Sequence, residues 1–495
     1  MVFAFAFALA YAQPGLVIHG GTVYDGLGGA GRKVDIRIEG DTIRAIGRVQ
    51  AKKGDQVIDA KGLAVTPGFI DAHSHADGGI FEDPLAETQI RQGITTAVVG
   101  EDGSSDLPLT DFFGKLRKTP STINFASFVG HGTIRSAVMG DGDRKPTPEE
   151  IVKMAALVER EMKNGALGLS TGLEYQPGRY GDTGEVAALA KAASKHGGMY
   201  ISHVRNEDNH AMEAFRELID IATRAKLPAQ INHIKLCSAR VWGQAPAVLK
   251  LMDEAAKKGV KISADVYPYL YWQSTIRVII ATEEWDDRAQ WEQGLSDVGG
   301  PEHILLTKYS PDPSWAGKTI AEISKITGKD PITVIQEIIE KCHRNGNKGS
   351  ESVVVTAMSE ADLTAFIASP RIMFCSDGGL HGTHPRGAGS FPRILGVYVR
   401  EKKVLSLAEA IRKMTSLPAS RFGFKDRGVL KAGMKADLVL FDPKTVLDKS
   451  TTKDPEAKPI GISTVIVNGQ PVLLDGKTTK SRPGRPLPRA GGSRA

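Results

Sequence analysis

Cysteine is scarce: three in 495 residues. Cys237, Cys342 and Cys375 form an odd set with no CxxC pair, which excludes a disulfide framework. They read as small buried apolar side chains. Long apolar runs are lacking too. VFAFAFALA, near the start, is too short to span a bilayer, and no later segment is long and apolar enough. Charge of one sign is modest, at a net +6. No basic patch interleaved with aromatics occurs, so nucleic acid is not expected as a partner. A small basic excess suits anionic small molecules. Hydrophobic content of 41% and charged content of 24% are those of an ordinary soluble protein and exclude disorder of the bulk chain. The length exceeds the ~250–300 residues at which one core stops growing, so two or three structural units are expected.

The start, MVFAFAFALAYAQPG, places Ala-Tyr-Ala before Gln13. That is a small-x-small cleavage pattern after an apolar run, and a signal peptide over residues 1–12 is expected, although no Lys or Arg precedes the run. A periplasmic or secreted location follows. The alternative is a strand or a disordered tail on a cytoplasmic protein.

From 13 to 64, LVIHGGTVYDG, KVDIRIEGDTIRAIG and QVIDAKGLAV read as short strands between Gly- and Asp-rich turns. The same signal returns over 421–478, in ADLVLFDP and GISTVIVNGQPVLLDGK. Either end alone would leave sheet edges open, so the two are expected to combine into one small β-sandwich domain. Between them the rhythm changes. TPGFID, ITTAVVG, NFASFVGHG, ALGLSTG, MYISHVR, AQINHIK, KISADVYPY and RIMFCSDGG are apolar runs ending in polar residues, mostly separated by helical stretches. One helix opens at Thr147 with Glu150 three residues on, a capping box. Eight β-then-α units predict an α/β fold, a (β/α)8 TIM-like barrel over 65–420. A doubly wound open sheet is the alternative, but no Gly-rich dinucleotide signature accompanies it. Residues 280–350 break the rhythm with little strand and read as an insertion before the last barrel strand. The tail, 479–495, is basic and reads as flexible and solvated.

In GFIDAHSHAD, His73 and His75 alternate at the end of the apolar run Val65–Ile70, and side chains two apart on a strand face the same way. A polar strand end would explain one histidine; His-x-His after a buried strand points to a shared metal. Further strand ends carry Glu101 and Asp102, His131, His203, His233 and Asp377. Nitrogen and carboxylate donors converging at the carboxyl ends of barrel strands suit one or two divalent ions, zinc above all.

These motifs resemble the amidohydrolase superfamily and, within it, the N-acyl-D-amino-acid deacylases (D-aminoacylases). The resemblance runs over about residues 15 to 475. It is carried by GFIDAHSHAD, GITTAVVG, GHGTIR, GLSTGLEYQPG, SHVRNE, NHIK, DVYPY, SDGGLHGTHPRGAGSFPR and MTSLPASRFGFKDRGVLKAGMKADLVLFDP. It implies His73 and His75 as ligands of one metal site, His203 and His233 as ligands of another, and Asp377 as ligand and catalytic acid/base. Many members place a cysteine on strand two, in Gly-Asn-Cys-Gly. Here the stretch is Gly100-Glu101-Asp102-Gly103, so a carboxylate takes that place. Glu101 is the expected ligand, with Asp102 the positional alternative. ALGLSTGLEY has no lysine, which argues against a carbamylated lysine. The implied reaction is hydrolysis of an N-acyl-D-amino acid by metal-activated water, with His131 or Tyr175 helping to polarise the carbonyl. Lys235, Tyr267 and Arg386 are the implied partners of the substrate carboxylate. Arg277, an arginine in an apolar run, reads either as a partner of an acidic substrate side chain or as a partner of the insertion. Glu174 and Glu207 are expected to pair with nearby arginines. Other amide hydrolysis, by a D-residue dipeptidase or a cyclic-amide hydrolase, is the alternative activity. A catalytically inactive binding protein on the same fold is the third reading, disfavoured because every histidine and Asp377 is present. The oligomeric state stays open.

Overall fold

The computed structural model describes residues 15–280, 284–344, 346 and 348–489. The expected signal peptide, residues 1–12, lies outside the described residues. Eight parallel strands follow one another around a ring: Phe69–Asp71, Ile94–Val99, Asn124–Ser127 continued by Val129–Gly130, Gly168–Gly172, Met199–His203, Ala229–Ile231, Ile262–Val266 and Ile372–Phe374. Each pairs in parallel with the next. The ring closes between the last strand and the first. Ala72 N–H reaches Phe374 O at 3.4 Å, Asp377 N–H reaches His73 O at 2.9 Å and His75 N–H reaches Gly378 O at 3.0 Å. The strands are buried along their length, as parallel strands covered by helices must be. Helices such as Pro148–Lys163, opened by the Thr147–Glu150 capping box, form the outer layer. This is a (β/α)8 barrel.

The first apolar run does not form one strand. Ala64–Pro67 pairs with Leu438–Phe441 and Thr22–Val23 in a separate sheet, and only Phe69–Asp71 enters the barrel. Gly68 is the joint. A Cβ there would lie 2.2 Å from Thr95 Oγ1, so no other residue fits where the chain passes between the two sheets. The separate sheet has seven strands and draws on both ends of the chain, from Arg32–Lys33 to Lys477–Thr478. It packs on a four-stranded sheet of Leu16–His19, Asp35–Glu39, Thr42–Gly47 and Gln56–Asp59. Ile18, Ile36, Ile43, Leu438 and Ile466 form the core between them.

Two elements differ from expectation. The insertion begins earlier and ends later than 280–350, and it contains a sheet. Tyr271–Ser274, Ile304–Tyr309, Lys318–Thr319 and Glu351–Thr356 pair antiparallel around their own core of Trp291, Ile335, Ile338 and Val353. The β-branched runs pair across about fifty residues of sequence, which local pattern does not reveal. The tail, in turn, is not a free solvated strand up to residue 489. Phe125 N–H reaches Arg485 O at 3.1 Å, Leu487 N–H reaches Phe125 O at 2.7 Å, and Arg489 N–H reaches Gly165 O at 2.9 Å. Leu487 packs on Ala126, Leu167 and neighbouring residues inside the barrel. The tail thus straps the amino-terminal mouth of the barrel, where edge backbone groups need partners. No helix of the described residues is long and apolar enough to cross a membrane.

Candidate metal centre

The catalytic face is built at the carboxyl ends of the strands. Asp102, His233 and Asp377 each sit just past a strand with φ of 52°, 33° and 48°. Non-glycine residues are uncommon in this region, and three of them gather at this one face. The turn after strand two also needs Gly103, with φ of 77° and a hypothetical Cβ only 2.7 Å from Gly172 N. That turn aims Asp102 inward.

Asp102 is the hub. Its Oδ2 lies 3.4 Å from both His73 Nε2 and His75 Nε2, and its Oδ1 lies 3.6 Å from His233 Nε2. Asp377 Oδ1 lies 3.5 Å from His73 Nε2 and 3.3 Å from His75 Nε2. His203 Nδ1 stands 2.9 Å from His233 Nε2. Two donor sets result, His73–Asp102–His233–Asp377 and His203–Glu207–His233, each with its ligand atoms within 4.8 Å of one another. Behind the histidines stand further acids. Glu174 Oε2 is 2.7 Å from His203 Nε2, Glu207 Oε1 is 3.1 Å from His233 Nδ1, and Glu101 Oε2 is 3.6 Å from His73 Nδ1.

This donor set fits a metal. Nitrogen and carboxylate oxygen suit zinc. Behind the hub, on the far side of the His73 ring, His73 Nδ1 and Glu101 Oε1 are buried with no hydrogen-bond partner. The electrostatics agree. Burial pushes Glu101 well above the carboxylate range, helped by Asp102 and Asp265 beside it. Burial acts the same way on Asp102, but the His73 and His233 imidazoles overrule it and hold Asp102 well below that range. Asp377 is likewise held low against its burial, by Arg386 and then His233 and His73. Burial and Lys235 lower His233, yet Glu207, Asp377 and Asp102 carry it up to about 10. The positive charge that these acids favour on His233 is one that a divalent cation can supply instead.

The sequence profile of the amidohydrolase family matches residues 56–473. The chain belongs to the amidohydrolase family. It is 34% identical to D-aminoacylase of Alcaligenes xylosoxydans xylosoxydans over 96% of this chain and 97% of that one. It is 35% identical to N-acyl-D-glutamate deacylase of the same organism over 96% of each. A crystal structure of N-acyl-D-glutamate deacylase from Bordetella bronchiseptica, complexed with zinc and a phosphonate mimic of the tetrahedral intermediate, superposes with a TM-score of 0.85. Its identity is 32%, over 96% of this chain and 99% of that one.

In this amidohydrolase a cavity of about 890 Å³ opens onto the donor cluster. Tyr175, Lys235 and Arg386 line it. The Tyr175 hydroxyl is 3.4 Å from His203 Nδ1. Lys235 Nζ bonds both Glu207 oxygens at 2.8 Å, and Arg386 Nη1 bonds Asp377 Oδ2 at 2.6 Å. Tyr267 is buried behind these two cations, its ring 4.8 Å from the Arg386 guanidinium and 5.8 Å from Lys235 Nζ.

Three expectations, for His131, for Glu174 with Glu207 and for Glu101, are corrected, and the two readings of Arg277 narrow to one. His131 does not face the cavity. It opens the helix His131–Met139, is fully buried, and its Nε2 lies 2.8 Å from Glu185 Oε1, which also holds Arg135. Arg277 points outward, with Nε 3.4 Å from Thr275 Oγ1 and its guanidinium 6.0 Å from the Trp285 ring, so it partners the insertion. Glu174 and Glu207 contact histidines and Lys235 rather than arginines, and both line the cavity. The spacing of Glu207 four residues after His203 was the one available signal for this. Glu101 also turns away from the hub; its Oε2 accepts from Asn232 Nδ2 at 3.0 Å, and of the histidines named it approaches His73 alone.

Proposed function

We propose that this amidohydrolase cleaves the amide bond of N-acyl-D-amino acids, giving a carboxylic acid and a free D-amino acid. The observation that carries the reading is the convergence of His73, His75, Asp102, His203, His233 and Asp377 directly beside Arg386 and Lys235. The near full-length similarity to D-aminoacylase and N-acyl-D-glutamate deacylase supports it. Zinc would be held by His73, His75 and Asp377 on one side and by His203 and His233 on the other, with Asp102 between them. Asp102, rather than Glu101, is the strand-two ligand because it alone of the two reaches both histidine pairs. Zinc in that place supplies a water that ionises near neutral pH and positive charge for the amide oxygen.

The remaining steps belong to the chain's own residues. Arg386 keeps Asp377 ionised, ready to take a proton from the attacking water and pass it to the leaving nitrogen. Arg386 spends one nitrogen on Asp377, and the rest of its planar fork is free to hold the α-carboxylate. Lys235 adds a second positive charge beside it. Tyr175 stands over His203 and can donate its hydroxyl proton to the developing oxyanion. Glu101, Glu174 and Glu207 hold the imidazoles in place from behind, the part that outer carboxylates play at metal sites.

The test is amine release from N-acetyl-D-leucine and N-acetyl-L-leucine by zinc-loaded and chelator-treated protein. Release from the D form alone, abolished by the chelator and restored by zinc, is expected. Equal turnover of both enantiomers, or of neither, overturns the reading. We also propose export directed by residues 1–12, supported by their sequence pattern; an uncleaved chain starting at Met1 in the cytoplasm of the source cell contradicts it.

A further inference from the structure

Identity does not separate the relatives by substrate, since D-aminoacylase and N-acyl-D-glutamate deacylase score 34% and 35%. The cavity does. We infer that the substrates are N-acyl-D-amino acids with uncharged, apolar side chains, read by a wall of Trp272, Val278, Ile279 and Val298; this rests on the deacylase reading above.

Lys235 and Arg386 are the lysine and arginine of the cavity lining among the described residues, and both are committed. Lys235 is tied to Glu207 and Arg386 to Asp377. Together they can accommodate one substrate carboxylate, the α-carboxylate. A second carboxylate, on the side chain, finds no further cation in the lining among the described residues. Arg277, the residue that could have answered it, lies on the outer surface against Trp285. The lining also carries Asp77, Asp106 and Asp208, with no lysine or arginine paired to them among the described residues. An acidic side chain there meets like charge, which is costly.

The apolar wall is placed to receive the side chain. All four residues come from the insertion, and Ile279 and Val298 belong to its core with Trp272 packed against it, so the wall is rigid. The wall abuts the loop that carries Arg386: Gln273 Nε2, next to Trp272, bonds Thr383 Oγ1 at 2.7 Å. A substrate anchored by its α-carboxylate at Arg386 therefore turns its side chain to the wall. The acyl chain is left to the loops after strands two to four, whose Ser104, Thr133, Ser136 and Pro177 also line the cavity.

The experiment compares kcat/KM of the zinc-reconstituted full chain on N-acetyl derivatives of D-leucine, D-phenylalanine, D-glutamate and D-lysine. The apolar pair is expected to exceed D-glutamate by at least about 100-fold, the scale on which a pocket rejects a group it cannot pair. Preference for D-glutamate overturns the inference alone. Preference for D-lysine assigns reading to the acidic lining residues and overturns it too. Release from none of them removes the deacylase reading and this inference with it. Val278 is half-buried, so Val278→Arg is tolerable to the fold and supplies the missing cation. It is expected to shift the leucine-to-glutamate ratio towards glutamate by at least about tenfold. Val298→Ala is the second variant, expected to raise KM for D-leucine more than KM for D-glutamate. Unchanged ratios in both variants refute the wall.

Discussion

The assignment of Asp102 rather than Glu101 to the metal is a quantitative claim about two adjacent carboxylates. Asp102→Asn preserves size and removes the charge at the hub. Its oxygens lie 3.4 to 3.6 Å from three ligand imidazoles. At that range and an effective dielectric of about 20, one unit of positive charge is held by about 5 kcal/mol, or three to four powers of ten in affinity. The asparagine oxygen recovers part of this. The expected loss of zinc affinity is thus at least about 100-fold. Glu101→Gln replaces a carboxyl group that stands 3.6 Å behind His73 and accepts from Asn232, so it loosens a ligand without deleting one. Outer-shell changes of this kind cost about 10- to 100-fold. The assay is zinc competition with a chromophoric chelator, with circular dichroism confirming that each variant is folded. The order Asp102→Asn well below Glu101→Gln below wild type is expected. A Glu101→Gln loss equal to or larger than that of Asp102→Asn refutes the assignment.

Asp377→Asn is expected to lower kcat by at least about 100-fold when assayed at a zinc concentration that keeps the variant loaded; near-normal turnover contradicts the proton-transfer role. Glu174→Ala frees the His203 ring and is expected to weaken zinc binding by about tenfold or more with an unchanged melting temperature; full affinity in the variant removes its positioning role. Lys413, far from the metal, is fully buried, donates to the carbonyl oxygens of Ile367 and Ser369, and is lowered by burial from 10.5 to about 7. Between those values the unfolded chain binds the proton and the folded chain does not, so this stability is present at high pH and is lost as pH falls towards 7. Relative to Lys413→Met, wild type is expected to gain about 2 kcal/mol in denaturant unfolding from pH 7 to pH 9; a flat difference shows that Lys413 stays charged when folded.

The barrel was legible because its strands are short apolar runs ending in polar residues, and the same feature exposed His73, His75, His203, His233 and Asp377. What escaped detection depended on contacts distant in sequence. Gly68 splits an unbroken apolar run because two sheets meet there, and nothing in VTPGFI says so. The tail reads as solvated from its Pro, Gly and Arg content, yet its backbone finds Phe125, some 360 residues earlier. His131 looked like its fellow strand-end histidines, but Glu185 and Arg135 capture it. Glu101 and Asp102 are neighbours, so composition cannot rank them; the left-handed turn at Asp102 and Gly103 decides which one faces the histidines. Arg277 shows the converse: an arginine in an apolar run, STIRVII, suggested a buried ion pair, but a short helix, Ile276–Ile279, turns it outward.

The central claim is that six side chains from strands one, two, five, six and eight share one metal centre. The most direct measurement is a crystal structure of the zinc-loaded protein with anomalous data collected on both sides of the zinc edge. One or two anomalous peaks within bonding distance of His73, His75, Asp102, His203, His233 and Asp377 are predicted. A zinc-loaded crystal whose anomalous peaks all lie elsewhere, with these side chains bonded to one another, contradicts the account.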